Sequence, residues 1–106
     1  MKISFNDYMK IPKEQLNAIY EVEGHGTEYW VNGKAHREDG PAFEGIGIDG
    51  LKYWFINDKL HRLDGPAYEN PYYEYVQYWI EGKRFSTKEE FEAVAYMYKN
   101  GLQGYL

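Results

Sequence analysis

The chain has 106 residues, no cysteine and a formal net charge of −5. Twelve tyrosines, five phenylalanines and three tryptophans make up 19% of it, enough ring surface for one domain to fold without disulfides. The composition excludes a thiolate metal site, and the acidic balance argues against direct nucleic-acid binding. We expect a cytoplasmic protein without a membrane span or a signal-peptide core.

The first predicted element is an N-terminal segment, residues 1–17, in which residues 12–16 form one helical turn. Residues 18–21 then resemble the Pro-Ala-aromatic-Glu strand of the repeat without its proline. They begin an array of repeats that covers residues 18–85. The stretch from Tyr29 to Glu44 returns almost verbatim as residues 54–69. A third copy starts at Tyr78 and departs from the pattern after Lys83. Near-identical copies at a constant period predict a repeat architecture.

Each copy predicts short antiparallel strands joined by tight turns. Asn32-Gly33 and Asn57-Asp58 lie between aromatic segments, where a hairpin turn needs two positive φ angles. Asp39-Gly40 and Asp64-Gly65 predict a second turn, with the Asp bonding nearby amides and the Gly left-handed. A looser, glycine-rich turn follows Glu44. We therefore predict a mainly β fold, a single twisted antiparallel hairpin meander of about six or seven strands.

Residues 86–106 form the last predicted segment. Ser86 and Thr87 each start a capping box, with Glu89 and Glu90 as acidic partners. Apolar residues then recur at helical spacing until Asn100-Gly101, which predicts a helix over residues 87–99. The apolar stripe of this helix must cover part of one face of the sheet.

The repeat unit, aromatic-Trp-x-Asn-Gly-Lys-x-His-Arg-x-Asp-Gly-Pro-Ala, resembles the MORN-like repeats of phage and large-virus proteins, related in style to YwqK-type MORN variant repeats. The resemblance covers residues 18–85, and the third copy departs from it by replacing His-Arg with Phe85-Ser86. It implies a hairpin meander, a viral source and a non-enzymatic binding role. We accordingly expect an accessory protein that binds and inhibits a host defence protein in the host cytoplasm.

The two His-Arg-x-Asp sets are the main candidates for chemistry; they comprise His36, Arg37, Asp39, His61, Arg62 and Asp64. Histidine could act as a general base, arginine could bind an anion and aspartate could orient the histidine, which together could support catalysis. A catalytic set, however, normally occurs only once in a chain. Recurrence at equivalent turns favours a structural role, with anion binding as the alternative. No catalytic residue, metal site or cofactor is predicted. We interpret His25, between two glycines, as the tip of a mobile hairpin.

Aromatic residues suggest a binding surface. Strand alternation places Trp30, Phe55 and Trp79 on one face and Trp54 on the other, so that both faces are apolar. One interpretation is that sheet twist and the N-terminal segment bury these rings. The other is that a row of rings stays accessible and binds a partner.

One segment departs from the repeat consensus. After Glu69, a run of tyrosines replaces the glycine-rich turn of the preceding copy. Tyrosine is favoured in interface cores, although it is also a good strand former. The candidates for partner binding are therefore Tyr72, Tyr73, Glu74 and Tyr75, together with Trp30, Trp54 and Trp79.

Other interpretations stay open. The protein could sequester a nucleotide signal, with rings stacking the base while Arg37, Arg62 and His61 meet phosphate. An acidic mimic of nucleic acid ranks last among the binding interpretations, because Lys and Arg are interleaved with Glu and Asp throughout the chain, and a metal-dependent enzyme ranks below it. A homodimer could form through the exposed edge of the meander.

Overall fold

In a computed structural model of the protein, which describes residues 1–47 and 50–106, the regular secondary structure consists mainly of short β-strands. The strands are β1 (Lys2–Ile3), β2 (Ile19–Val22), β3 (Gly26–Val31), β4 (Lys34–Ala35), β5 (Phe43–Gly45), β6 (Lys52–Tyr53), β7 (Phe55–Ile56), β8 (Lys59–Leu60), β9 (Tyr68–Asn70), β10 (Tyr75–Ile80) and β11 (Lys83–Phe85). The helices are α1 (Phe5–Met9) and α2 (Lys88–Lys99), and 3₁₀ turns span Lys13–Gln15 and Gln103–Tyr105. No helix of the described ranges is long and apolar enough to cross a membrane.

Within the described residues, nine strands form one open, mostly antiparallel sheet in the order β1-β2-β3-β5-β6-β9-β10-β11, with β4 paired to β3. Strands β7 and β8 form a separate hairpin. Successive strands mostly pair, which confirms the predicted mainly β meander with a C-terminal helix. The strands outnumber those predicted because the longer ones change partners. The first part of β3 pairs with β2 and β5, and its last two residues pair with β4.

The N-terminal segment is more structured than the sequence predicts. The predicted helical turn is present as the 3₁₀ turn Lys13–Gln15, but α1 and β1 were not predicted. Helix α1 begins where Ser4 Oγ accepts a hydrogen bond from Asp7 N (3.1 Å). Strand β1 pairs with β2 in parallel, a pairing between distant residues that has no local sequence signal.

Three tight hairpins recur at equivalent places, as the sequence predicts. Asn32-Gly33, Asn57-Asp58 and Glu81-Gly82 each have two positive φ angles, as a type I′ turn requires. Each hairpin is bonded to the preceding copy: Asn32 N donates to Asn17 Oδ1 (2.9 Å), Asn57 N to His36 Nδ1 (3.0 Å) and Glu81 N to His61 Nδ1 (2.9 Å). The predicted looser turn after Glu44 includes residues 48 and 49, which lie outside the described ranges.

The repeated arginine explains the Asp-Gly-Pro-Ala turn. Arg37 Nη1 donates to Pro41 O (3.1 Å) and to Glu44 Oε1 (3.0 Å), and the second copy repeats both contacts. A Cβ at Gly40 would lie 2.7 Å from Arg37 Cζ. Gly40 and Gly65 do not have positive φ, so their predicted left-handed role is wrong. The glycines are there because the guanidinium leaves no room for a side chain.

The strand register defines two faces. The front face carries Glu28, Phe43, Tyr53, Tyr68 and Gln77, which are paired in turn across the middle strands. The back face carries the alternate residues Thr27, Glu44, Lys52, Glu69 and Val76. Because side chains alternate along a strand, every other residue of each strand can be assigned to one of these faces.

The two ends of the sheet are covered on opposite faces. At the β2 end, the N-terminal segment packs on the front face around buried Leu16, Tyr20 and Val22. At the other end, α2 packs on the back face of β10 and β11, around buried Ile80, Phe85, Phe91 and Ala95. The front-face rings of β5, β6 and β9 belong to neither core.

Helix α2 agrees with its prediction to within one residue. Thr87 Oγ1 accepts a hydrogen bond from Glu90 N (3.1 Å), so Thr87 rather than Ser86 is the N-cap. At the other end Gly101 has a φ of 69°, and Leu102 N donates to Met97 O (2.7 Å). These contacts close the helix at the predicted Asn-Gly stop.

Candidate functional site

A row of rings crosses the front face at right angles to the strands. The aromatic row consists of His25, Phe43, Tyr53, Tyr68 and Tyr75. The distances between successive ring centroids are 4.9, 5.7, 4.9 and 6.0 Å. The row follows from the register, because Phe43 faces Tyr53 and Tyr53 faces Tyr68 across adjacent strands. Burial, with the neighbouring Tyr68 hydroxyl, raises the pKa of Tyr53, so this phenol is neutral at physiological pH.

Beside the row, the front face forms a cleft of about 360 Å³. The aromatic cleft is lined by His25, Glu28, Trp30, Ala35, Ala42, Phe43, Tyr53, Phe55 and Asp58. Four large rings form its walls, and two alanines leave the space between them. Two carboxylates, Glu28 and Asp58, are the anionic groups of the lining. This combination of apolar walls and a few polar groups is typical of a binding site.

Glu28 ties the N-terminal segment to one end of the cleft. Its Oε1 accepts from the Tyr8 hydroxyl and from Trp30 Nε1 (2.8 Å), and its Oε2 lies 2.6 Å from His25 Nε2. Burial and the bond to Glu28 raise the pKa of Tyr8 above its ordinary value, so Tyr8 remains a donor. Three side chains thus hold the carboxylate in place at this end of the cleft.

His25 is not simply the tip of a mobile hairpin. Its half-buried ring lies 6.0 Å from Phe5 and 4.9 Å from Phe43, and it begins the aromatic row. The flanking glycines gave no sequence signal for this packing. Contacts with three separate elements of the fold hold the ring in place.

Asp58 forms the other polar end of the cleft. Its Oδ1 accepts from Ala35 N (2.7 Å), and its Oδ2 pairs with Lys13 Nζ (2.7 Å). Burial opposes the charge, but the bonds from Lys13 and Ala35 outweigh it and lower the pKa of Asp58 below its ordinary value. Asp58 is therefore ionised at neutral pH. Sequence reasoning treated it only as a turn residue.

The predicted tyrosine segment adjoins one end of the aromatic row. Tyr72 and Tyr73 lie in the turn between β9 and β10, with 53% and 70% of their surface exposed, and their centroids are 4.8 Å apart. Glu74, in the same turn, is exposed. Tyr75 begins β10 and packs its ring against Tyr68. The segment is thus connected to the aromatic row through Tyr75.

The three tryptophans do not form one surface. Trp30 lines the aromatic cleft, and Trp79 donates from Nε1 to Gln77 Oε1 (2.9 Å) on the front face. Trp54 lies on the back face, where its Nε1 donates to Glu69 Oε2 (3.1 Å). The predicted alternation is confirmed, and it separates Trp54 from the other two.

The His-Arg-x-Asp residues have structural partners. Arg37 and Arg62 lie over the rings of Tyr29 and Trp54, with Cζ to centroid distances of 4.2 and 3.8 Å. His36 and His61 accept hairpin amides through Nδ1, as described above. Asp39 accepts from Arg37 Nε (3.0 Å), and Asp64 pairs with Lys99 (2.8 Å), so neither side chain bonds the backbone amides predicted for it.

Among the described residues, no group of three or more His, Cys, Asp or Glu side chains is arranged to hold a metal ion. No protein-family model, curated protein or solved structure matches this chain. The aromatic face has to be interpreted from its own chemistry.

Proposed function

We propose that this protein is a non-enzymatic binding protein whose front face accepts a partner protein. The observation that carries the proposal is the aromatic row. Its His25 end contacts the N-terminal segment, whereas Phe43, Tyr53 and Tyr68 are half-buried and belong to neither hydrophobic core of the described residues. Contiguous exposed rings are typical of recognition surfaces, and tyrosine in particular supplies rigid contact area. Following the resemblance of the repeats, we propose a host protein as the partner and inhibition as the consequence.

The nucleotide alternative has less support. It needs Arg37 and Arg62 free to meet phosphate, but both lie on back-face rings and bond to Glu44 and Glu69. The cleft on the front face carries carboxylates, which repel phosphate. A mimic of nucleic acid would need rows of carboxylates, whereas the exposed part of the row is aromatic.

The proposal is tested by affinity capture from host cells with two variants matched in exposure. The first, Y72S/Y73S/Y75S, removes exposed rings next to and within the row. The second, I19S/V31S, removes exposed apolar side chains of the back face. We expect the first variant to capture at least tenfold less partner than the wild type does. Each ring at the centre of an interface often contributes about 2 kcal/mol or more to the binding free energy.

The control variant should retain the partner at the wild-type level. Both variants are first compared by thermal unfolding, so that loss of fold is not mistaken for loss of binding. Retention by Y72S/Y73S/Y75S, or equal loss in both variants, would remove the front face from the proposal. Capture of a second copy of the chain alone would support the homodimer instead.

A further inference from the structure

We infer that the aromatic cleft receives a cationic side chain, lysine or arginine, from the partner. This deepens the proposed function and rests on it, because it states what chemistry the front face selects. Rings attract cations through their negative faces, and a neighbouring carboxylate adds direct attraction. The cleft offers both at once, whereas a purely apolar partner would leave Glu28 and Asp58 facing an uncharged group.

The lining supplies anions and rings, and its basic side chain, His25, is bonded to Glu28. Trp30, Phe43, Tyr53 and Phe55 form the walls, and Glu28 and Asp58 supply charge at two places in the cleft. Neither lysine nor arginine is among the lining residues. The ionised state of Asp58 follows from its bonds to Lys13 and Ala35 N.

The same chemistry is satisfied internally on the back face. There Arg62 lies 3.8 Å from the Trp54 centroid while its Nη1 is 3.5 Å from Glu69 Oε2. Arg37 repeats the arrangement with Tyr29 and Glu44. Where the chain places a ring beside a carboxylate on the back face, it therefore supplies the cation itself.

Lys13 shows that the edge of the cleft attracts a cation. Its Nζ lies 2.7 Å from Asp58 Oδ2 and 5.4 Å from the Trp30 ring centroid, while it also donates to Gly33 O (2.7 Å). Lys13 is mostly exposed and lies outside the lining, so it offsets the charge of Asp58 from the rim. Glu28 accepts bonds from the Tyr8 hydroxyl and from Trp30 Nε1 and lies 2.6 Å from His25 Nε2, so its carboxylate is held in the wall of the cleft.

Asp58 also departs from its equivalents in the other hairpins. The second central residue of the turn is glycine in the first and third copies, Gly33 and Gly82. Asp58 occupies that position with a φ of 67°, a backbone conformation that favours glycine. The second copy thus places a carboxylate at a turn position that the other two copies fill with glycine, and this carboxylate bonds Ala35 N and Lys13.

The test uses small probes that differ in charge and little else. We would titrate N-acetyl-lysine methylamide, N-acetyl-arginine methylamide and the neutral N-acetyl-norleucine methylamide, and follow the Trp30 indole N–H by two-dimensional NMR. The indole signal is assigned with W30F. We expect either cationic probe to bind about tenfold more tightly than norleucine, the effect of one desolvated cation–π contact with a carboxylate nearby.

Four variants locate the charge effect. D58N keeps the acceptor for Ala35 N and tolerates positive φ, and E28Q keeps an acceptor for Trp30; each should reduce the preference for the cationic probes. E44Q removes a back-face carboxylate and should leave the preference unchanged. K13M should increase affinity for the cationic probes about two- to fivefold, because it frees Asp58 from an exposed ion pair. A merely structural role for Lys13 predicts no such gain.

Two results would overturn the inference: equal binding of the norleucine and lysine probes, or an unchanged preference in both D58N and E28Q. No binding by any probe up to solubility also counts against it, provided that the spectra show folded protein. The capture experiment fails independently of these probes. Charge-selective binding together with a partner that survives Y72S/Y73S/Y75S would reject the proposed function and keep the cleft chemistry.

Discussion

The two faces of the sheet carry rings at corresponding places but treat them differently. On the back face, Tyr29, Trp54 and Tyr78 occupy equivalent positions in the three copies, and each is covered: by Arg37, Arg62 and Phe91 respectively. On the front face, Phe43, Tyr53 and Tyr68 pack mainly against one another. The chain itself therefore covers the back-face rings of the repeat, whereas the front-face rings lie outside both hydrophobic cores of the described residues.

The third copy shows how the covering depends on the repeat. It lacks the arginine, since Phe85-Ser86 replaces His-Arg, and the helix supplies a ring at the same place. Phe91 lies 4.7 Å from Tyr78 and 6.2 Å from Phe85, between centroids. The helix thus ends the array by supplying a ring where each of the first two copies supplies its own arginine.

The largest expected difference between the faces is in stability. Phe91→Ala should lower the free energy of unfolding by about 3–5 kcal/mol, because it opens a cavity in the core beneath α2. Tyr75→Ala on the front face should cost less than about 1 kcal/mol, since the ring is exposed. Chemical denaturation followed by circular dichroism measures both. Equal costs would show that the front-face rings are core after all.

The arginine clamps should give the next largest effect. Arg62→Ala should cost about 2 kcal/mol, because it removes a ring contact and bonds to a carbonyl and a carboxylate. Arg84→Ala is the control: Arg84 is exposed and should change stability by about 0.5 kcal/mol or less. Gly65→Ala should displace the Arg62 guanidinium and lower the free energy of unfolding by less than Arg62→Ala does. Adding Gly65→Ala to Arg62→Ala should have little further effect, because both changes act on the same contact. Additive costs would mean that Gly65 is conserved in the repeat for a reason unrelated to Arg62.

The smallest effect concerns pH. Burial lowers the pKa of His61 below its ordinary value of 6.5, with Glu81 opposing the shift. The unfolded chain then binds more protons than the folded one below pH 6.5, so His61 makes stability fall as pH drops from there towards its folded-state pKa. His61→Asn should flatten this part of the curve, because an amide oxygen, as at Asn17, accepts the hairpin amide without titrating.

The comparison is between wild-type and His61→Asn stability curves between pH 7 and 5, measured by denaturant titration at about 0.5-unit steps. All other titrating groups are shared, so the difference between the curves isolates His61. Parallel curves would contradict a neutral, acceptor role for the folded-state imidazole.

Local signals were sufficient for the repeated elements of the fold. The hairpin turns follow from Asn32-Gly33 and its equivalents, and the helix follows from the Thr87 cap and the spacing after it, because each signal lies within a few residues. The role of Gly40 was missed because it depends on a guanidinium three residues away folding back through space. Strand β1 was missed because its partner is distant in sequence.

The candidate site was only partly predictable. The tyrosine segment was found because it breaks the repeat, and alternation correctly assigned Trp30 and Trp54 to opposite faces. The cleft was not predicted, because it combines Glu28 of β3 with His25 and Asp58, which lie in two different turns. The alternation of side chains along one strand does not indicate which residues of other strands and turns lie beside it.

The most direct test of the exposed front face uses two adjacent residues. Tyr75 and Val76 are 44% and 42% exposed, and they point to the front and back faces respectively. A photo-crosslinking amino acid is placed at each position in turn, and the captured partner is analysed after irradiation. We predict that the partner crosslinks from position 75 and not from position 76. Equal crosslinking from both positions, or crosslinking from position 76 alone, would contradict binding through the aromatic face.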